Sequence, residues 1–166
     1  NIKIRKDKLS MEEKYILSKL NSTIRKATQV FDDYKLNEIP LLIDDLFLTL
    51  SRTYIQLTRS KSSGEDKKVV LNTVYPVLIE ALKMFAPITP LITEGIYQNL
   101  KKQFSLEEES IHHFEWPEYD EKQIKEELEN EMDDISDILQ TIFSLREKIQ
   151  LGVRWPLQEA VIVTKD

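Results

Sequence analysis

Apolar side chains recur along much of this chain at steps of three and four residues, and this spacing restricts the possible fold most. Such steps place side chains on one face of a helix with 3.6 residues per turn. The first stripe comprises Leu17, Leu20, Ile24, Ala27 and Phe31. A Ser-x-x-Glu capping box, Ser10 to Glu13, precedes it and is typical of a helix start. We therefore predict a first helix over about residues 10–33.

The same spacing predicts two further long helices. One starts near residue 37 and ends near residue 59, and its apolar positions are Ile39, Ile43, Leu46, Leu50, Tyr54 and Leu57. The other runs from about residue 121 to about residue 150, with apolar Ile124, Leu128, Met132, Ile135, Leu139, Ile142 and Leu145. Both stripes are narrow enough to leave a charged, solvated side on each helix.

Two more helices are expected between these. The third spans about residues 65–85; its apolar residues lie on more than one side, which predicts the most buried helix, and Pro76 predicts a kink. Thr89-Pro90 supplies a cap and a first-turn proline for a fourth helix ending near Phe104. Residues 105–120 are expected to form an irregular connection. The β-branched run Ala160–Thr164 predicts a short strand.

We therefore expect an all-α protein, an antiparallel bundle of about five helices with a short C-terminal β-strand. The bundle should occupy residues 1–150, and residues 151–166 should begin a junction segment. The chain has 166 residues, no Cys and no apolar run of 18, which favours a cytoplasmic setting and no membrane association. Because it starts at Asn1 without Met, we expect a fragment of a longer protein.

Charge is distributed unevenly along the chain. Residues 1–68 carry 14 basic and 10 acidic residues, whereas residues 69–166 carry 9 basic and 19 acidic ones. Residues 107–137 alone hold 14 acids and two bases, Lys122 and Lys125, so this segment would repel a phosphate backbone. A nucleic-acid-binding surface is therefore expected elsewhere.

No catalytic motif is found in the sequence. It has no phosphate-binding glycine loop, no nucleophile elbow and no Cys nucleophile. Glu109 and His112 have the E-x-x-H spacing of di-iron helices, but the motif occurs once in a stretch that does not read as helix. We therefore expect no metal, no cofactor and no active site in this chain.

Basic residues near the end of the second helix are the best candidates for binding a ligand. Arg52, Arg59 and Lys61, with Tyr54 among them, could form a cationic and aromatic surface for RNA. The other interpretation is a solvated charged face with Tyr54 in the core, because Tyr54 also lies on the apolar stripe. Residue pattern alone leaves both interpretations open.

Four segments together resemble a known family. In order they are Lys14–Asn21, Leu50–Arg59, Ala86–Glu94 and Arg154–Leu157, reading KYILSKLN, LSRTYIQLTR, APITPLITE and RWPL. They are similar to the anticodon-binding helical domain of class Ia aminoacyl-tRNA synthetases, specifically the isoleucyl branch of archaeal and eukaryotic type. APITPLITE is shared with the valyl and leucyl branches, and the valyl branch is the nearest alternative. Thr53 stands where that family usually has an aromatic residue.

The resemblance implies a tRNA-binding module that holds the anticodon stem-loop while a catalytic domain of the same chain joins isoleucine to tRNA with ATP and Mg²⁺. The signature motifs of that catalytic domain are absent, so this part should be catalytically silent. The tRNA face is expected to comprise Lys14, Lys19, Arg52, Tyr54, Arg59, Lys61, Arg154 and Trp155. Trp155 could instead be a core anchor. A helical protein-interaction module without RNA function is the alternative from a different class.

Overall fold

A computed structural model describes residues 9–61, 63–152, 155–159, 161 and 163. Its helices are α1 (Met11–Asp32), α2 (Ile39–Leu48), a π-helix (Thr49–Tyr54), α3 (Ile55–Leu57), α4 (Gly64–Phe85), α5 (Pro90–Phe104) and α6 (Glu126–Lys148). The segments α2, π-helix and α3 follow one another without a break and are called the second helix. The predicted all-α class with five long helices is thereby confirmed for these residues.

The chain divides into two compact units, Asn1–Glu129 and Asn130–Asp166. The first contains α1 to α5, two 3₁₀ turns (Ile111–His113 and Glu121–Gln123) and the first turn of α6. The second contains the rest of α6 and the described residues that follow it. The division that the sequence predicts after residue 150 stays a prediction.

The core of the first unit is built around α1. Half of the 22 residues of α1 are buried, whereas six of the 22 residues of α4 are. The prediction that the third helix is the most buried is therefore wrong. Helix α1 packs against both α2 and α4, and it also buries a polar side, which a reading of apolar content does not detect. Helix α4 continues through Pro76 without interruption.

Helix α1 and the second helix run antiparallel. Glu13, in the first turn of α1, contacts Tyr54 near the end of the second helix, and Lys19 pairs with Asp45 in its middle at 2.9 Å. Their apolar stripes meet in one core cluster that also contains Val77, Ala81 and Met84 from α4. The antiparallel arrangement expected for these two helices is confirmed.

The π-helix changes which side of the second helix faces the core. A π-helix closes i→i+5 hydrogen bonds and so holds more residues per turn than an α-helix. Leu50 and Tyr54 are buried as the stripe predicts, but the next buried residue is Thr58, while Leu57 is 36% exposed. The Thr58 hydroxyl donates to the Tyr54 carbonyl at 2.8 Å. The inward position predicted for Leu57 is therefore wrong by one residue.

The polar side of α1 holds the segment that leads to α6. The Asp120 backbone N–H donates to Asn21 Oδ1 at 2.7 Å, and the Lys125 N–H donates to Ser18 Oγ at 2.7 Å. Ser18 and Ser22 both donate to the buried carboxylate of Glu129. The connection that the sequence predicts to be irregular is thus fixed to α1 by its own backbone.

Aromatic packing adds to this attachment. The Trp116 indole N–H donates to Thr28 Oγ1 at 2.9 Å, and its ring packs edge-on against Phe31 with centroids 4.8 Å apart. Residues of α5 fix the preceding part of the connection, because the Glu94 carboxylate accepts hydrogen bonds from the Ser110 hydroxyl and the Ile111 N–H.

The predicted C-terminal strand is not observed. Val161 and Val163 are exposed and lie outside regular secondary structure, and residues 160, 162 and 164 lie outside the described residues. A lone strand has no hydrogen-bonding partner in an otherwise helical chain, so local β-propensity alone does not produce one. None of the helices described is both long and apolar enough to cross a membrane.

A buried carboxylate joins the start of α1 to the end of the second helix. Glu13 has no exposed surface, and its Oε2 accepts the Ser10 backbone N–H at 3.0 Å, as the predicted capping box requires. Its Oε1 accepts the Tyr54 hydroxyl at 3.3 Å and the Lys61 ammonium at 3.0 Å. One side chain therefore caps a helix and also binds two residues more than 40 positions away. We call Glu13, Tyr54 and Lys61 the clamp.

Removing the amide of Asn21 should destabilise the first unit. Asn21→Ala deletes the acceptor of the part-buried Asp120 N–H, and the loss of such a hydrogen bond costs about 0.5–1.5 kcal/mol. Urea denaturation followed by circular dichroism measures the loss. Gln29→Ala, on an exposed position of the same helix, is the control and should change the free energy of unfolding by less than about 0.5 kcal/mol. Equal effects of the two variants would contradict the assignment.

The clamp should also make stability depend on acid pH. Burial raises the pKa of Glu13, but hydrogen bonds from Ser10 and Lys61 and the Lys61 charge outweigh burial, so its pKa lies below the ordinary value of 4.5. Ionised Glu13 therefore stabilises the fold above that value, and the stabilisation is lost as pH falls through the folded-state pKa. At neutral pH, Glu13→Gln should lose about 1–3 kcal/mol of unfolding free energy.

The measurement is urea unfolding of wild type and Glu13→Gln between neutral pH and about pH 3. The difference between the two proteins should narrow as the pH falls, because protonated glutamic acid resembles glutamine. Asp32→Asn, at an exposed acid of α1, is the control and should stay within about 0.5 kcal/mol of wild type throughout. A difference that stays constant with pH would rule out the assigned role of the Glu13 charge.

Candidate nucleic-acid interface

The exposed side of the second helix presents two guanidinium groups and an amide. Arg52 lies in the π-helix, Gln56 in α3, and Arg59 two residues after α3, and all three side chains are exposed. Tyr54 and Thr58, which lie between them in the sequence, are buried in the core, so the three exposed side chains face away from the core. We call Arg52, Gln56 and Arg59 the cationic face.

These arginines make no ion pair with any residue that the structure describes. An exposed guanidinium without an internal carboxylate keeps its five donors available for a ligand. Its planar fork matches the oxygens of a phosphate group better than a lysine ammonium does. Arg52 and Arg59 are exposed, and their role in phosphate binding stays a prediction.

Sequence reasoning missed Gln56, although its spacing from Arg52 is a usable signal. Its amide can donate and accept hydrogen bonds at once, which is what recognition of an unpaired base edge requires. It lies between two cationic side chains on the same exposed side. An exposed amide between two guanidinium groups is a more specific sequence pattern than a row of charged side chains alone.

Tyr54 is fully buried and does not form part of the exposed surface. Its hydroxyl donates to Glu13, and both burial and the Glu13 charge raise the pKa of Tyr54. The expectation that a base could stack on this ring is corrected by that burial, and the alternative interpretation, Tyr54 as a core residue, agrees with the structure. The apolar stripe that contains Tyr54 was the signal for this outcome.

Lys61 is largely occupied by partners within the protein. Its ammonium lies 2.6 Å from Ser10 Oγ, 3.0 Å from Glu13 Oε1 and 3.4 Å from Glu12 Oε2. Burial lowers the pKa of Lys61, but the hydrogen bond and charge of Glu13 outweigh burial and raise it overall. The structure thus gives Lys61 an internal contact in place of the phosphate contact that we expected.

The two lysines of α1 differ from each other. Lys14 is exposed, without an ion pair among the described residues, next to Glu13 in sequence. The Lys19 side chain is only 14% exposed and pairs with Asp45 at 2.9 Å. Lys14 therefore remains a candidate for phosphate binding, whereas the charge of Lys19 is used to join α1 to α2.

The C-terminal candidates belong to the second unit. Arg154 lies outside the described residues. Trp155 is 67% exposed, which corrects its interpretation as a core anchor, and its carbonyl accepts hydrogen bonds from both terminal nitrogens of Arg146 at 2.6 and 3.1 Å. The backbone of Trp155 is thus tied to the end of α6 while its ring is open to solvent.

The described residues of the acidic half present no comparable site. His112 and His113 are exposed in a 3₁₀ turn, so the Glu109–His112 pair does not share a helical face. No group of three or more metal-ligating side chains occurs within the described ranges. Among the residues that the structure describes, the cationic face is therefore the best-supported candidate site.

The sequence was compared with known proteins. Residues 13–162 match the family described as anticodon-binding domain of tRNA ligase. Isoleucine–tRNA ligase of Pyrococcus horikoshii is 33% identical over 171 aligned residues, covering 100% of this chain and 16% of that protein. The corresponding ligase of Thermococcus kodakarensis is 38% identical over 160 residues, covering 93% of this chain and 15% of that protein.

A bacterial relative gives the same result. Isoleucine–tRNA ligase of Clostridium tetani is 37% identical over 158 residues, covering 92% of this chain. This chain spans about 15–16% of the length of the curated relatives that it matches. The family match covers α1 from Glu13 onward, the helices up to α6 and all three residues of the cationic face. The chain therefore belongs to the anticodon-binding domain family of tRNA ligases.

Proposed function

We propose that this chain is the module of an isoleucine–tRNA ligase that binds the anticodon stem-loop of tRNA(Ile). It positions the tRNA so that the acceptor end reaches a catalytic domain elsewhere in the same protein. The observation that carries this proposal is the family match over residues 13–162, which includes the exposed Arg52, Gln56 and Arg59. Relatives of 33–38% identity that are isoleucine–tRNA ligases favour the isoleucyl branch over the valyl one.

The cationic face suits an RNA loop for two reasons. Arginine guanidiniums neutralise phosphates and fix the orientation of the backbone, while unstacked loop bases are read by hydrogen bonds to their edges. Gln56 between the two arginines can supply such hydrogen bonds. Lys14 is proposed as an additional phosphate contact, and Arg154 and Trp155 as contacts from the segment after α6.

Electrostatics favours the second-helix end over the acidic segment of residues 107–137. The 14 acids of residues 107–137 make the connection to α6 and the first half of α6 unfavourable for a polyanion. Rigid helices lose little conformational entropy when a ligand binds. Little of the binding free energy is therefore lost in ordering the protein. The same scaffold explains how recognition at one end of a tRNA can be coupled to chemistry at the other end.

The wider assignments follow from the proposal. Adenylate formation with ATP and Mg²⁺ would take place in the catalytic domain, and this chain contributes tRNA binding only. We propose a cytoplasmic setting, with residues 1–150 as the binding bundle and residues 151–166 as the start of a junction. A protein-interaction module without RNA function is the rival, favoured by exposed Leu91, Ile92 and Ile96 at the start of α5.

Substitution of the arginines tests the proposed face. In the full-length ligase, Arg52→Ala and Arg59→Ala should each raise the KM for tRNA(Ile). The loss of binding free energy should be about 1–3 kcal/mol if the side chain contacts a base, and smaller if it contacts phosphate only. Steady-state aminoacylation with varied tRNA measures this change, and isoleucine-dependent ATP–pyrophosphate exchange separates tRNA binding from adenylate formation.

The matched controls are Lys122→Ala and Lys125→Ala, which remove exposed positive charges from the acidic segment. They should leave the KM for tRNA at the wild-type value. Wild-type kinetics for both arginine variants, combined with impaired charging in either lysine variant, would transfer the site to the region around α6 and reject the cationic face.

The isolated chain should bind tRNA(Ile) weakly and with a steep salt dependence. Its formal net charge is −6, and affinity that comes mainly from a few phosphate contacts lies in the micromolar range or weaker at physiological salt. Filter binding over a series of salt concentrations measures both quantities. Nanomolar affinity would contradict the prediction, and affinity that does not change with salt would favour the protein-interaction rival.

A further inference from the structure

The clamp brackets the end of the second helix and the turn after it that carries Arg59. Tyr54 precedes Arg59 by five residues and Lys61 follows it by two, and both side chains bind the same carboxylate of Glu13. The carboxylate is fully buried, whereas Arg59 itself is exposed. An exposed arginine at a helix end is thus held between two side chains that are anchored on another helix.

Short hydrogen bonds transmit this anchoring to the backbone at Arg59. The Thr58 hydroxyl and N–H both bond to the Tyr54 carbonyl, at 2.8 and 3.0 Å, and the Lys61 N–H donates to the Thr58 carbonyl at 2.9 Å. The Arg59 N–H donates to the Gln56 carbonyl at 3.3 Å. The chain between the two anchors therefore has little freedom to move, although the helix has already ended.

Without these hydrogen bonds, the sequence that follows Arg59 would favour a mobile segment. Ser60 and Ser63 are small and polar, and Gly64 adopts φ +65°, a left-handed conformation that other residues rarely take. Ordering such a segment costs backbone conformational entropy at every residue that becomes fixed. If that ordering occurred only when RNA binds, affinity would fall, whereas a segment that is already ordered avoids the loss.

We propose that Glu13 is a positioning residue for RNA binding, which holds Arg59 in its binding geometry through Tyr54 and Lys61. The proposal rests on the function proposed above, because it requires that Arg59 contacts tRNA. It also assigns the positive charge of Lys61 to the clamp and not to the RNA backbone. Glu13 acts at a distance from the ligand, through the two side chains that bind its carboxylate.

The sign of the Glu13→Gln effect separates positioning from bulk electrostatics. Removing a negative charge near a polyanion should tighten binding if charge alone matters, and it should free Lys61 to bind phosphate. A positioning role requires the opposite result. In the full-length ligase we expect the Kd for a tRNA(Ile) transcript to rise about tenfold, which corresponds to roughly 1.4 kcal/mol.

Asp32→Asn is the matched control, since it removes one exposed carboxylate from the same helix and should leave the Kd unchanged or slightly lower. Tyr54→Phe removes only the hydroxyl that donates to Glu13, and it should weaken binding in the same direction as Glu13→Gln but less. This second variant keeps the proposal testable if Glu13→Gln folds poorly. Unfolding curves confirm that each variant is folded under the binding conditions.

A double-mutant cycle shows whether the effect passes through Arg59. Arg59→Ala should weaken binding less in the Glu13→Gln background than in wild type, because Arg59 is already displaced there. Glu13→Gln with Lys61→Met should bind no more weakly than the worse of the two single variants. Equal Arg59→Ala factors in both backgrounds, or tighter binding by Glu13→Gln, would overturn the proposal.

The same experiment separates failure of this proposal from failure of the proposed function. Where Arg59→Ala weakens tRNA binding in wild type but Glu13→Gln does not, the cationic face stands and the positioning role is rejected. Where neither Arg52→Ala nor Arg59→Ala changes the Kd, the cationic face is rejected and the positioning role falls with it.

Discussion

Helix α1 packs against apolar residues on one side and forms hydrogen bonds on another, and the first unit is arranged around these two kinds of contact. Its apolar stripe packs into the core with α2 and α4, while Ser18, Asn21 and Ser22 bind the segment leading to α6. Backbone groups and carboxylates inside a protein need partners, so the position of that segment is determined by hydroxyl and amide groups one turn apart on α1. At the first turn of the same helix, Glu13 imposes a third condition by binding Tyr54 and Lys61.

Much of the fold could be predicted because its main determinant is local. Steps of three and four between apolar residues depend only on helix geometry, and they predict α1, the second helix and α6 to within a few residues. The capping box at Ser10 and the proline at the start of α5 are equally local. Where prediction was wrong, the cause was non-local or was a departure from α geometry: a π-turn moved Leu57 outward, and no partner exists among the described residues for a strand at Val161 and Val163.

The candidate site was predictable to the extent that its residues lie off the apolar stripe. Arg52 and Arg59 are exposed for that reason, and Tyr54 is buried because it lies on the stripe. The ion pairs of Lys19 with Asp45 and of Lys61 with Glu13 could not be predicted, since the partners are 26 and 48 positions away in the sequence. The contacts of the Glu13 carboxylate with Tyr54 and Lys61 could not be predicted either, because its local role in a capping box gives no indication that it also binds these residues.

The π-turn in the second helix has a consequence for chain length. A π-turn is equivalent to one residue inserted into an α-helix without a break in hydrogen bonding, so residues beyond Tyr54 are rotated relative to those before it. Deleting a single residue there, such as Ser51, would restore regular winding and turn the side chains beyond the deletion relative to the core. Single-residue deletions at different positions in this turn would therefore all produce the same regular helix, with the helix end in one new orientation. The second helix contains a natural adjustment point of one residue, located where the cationic face begins.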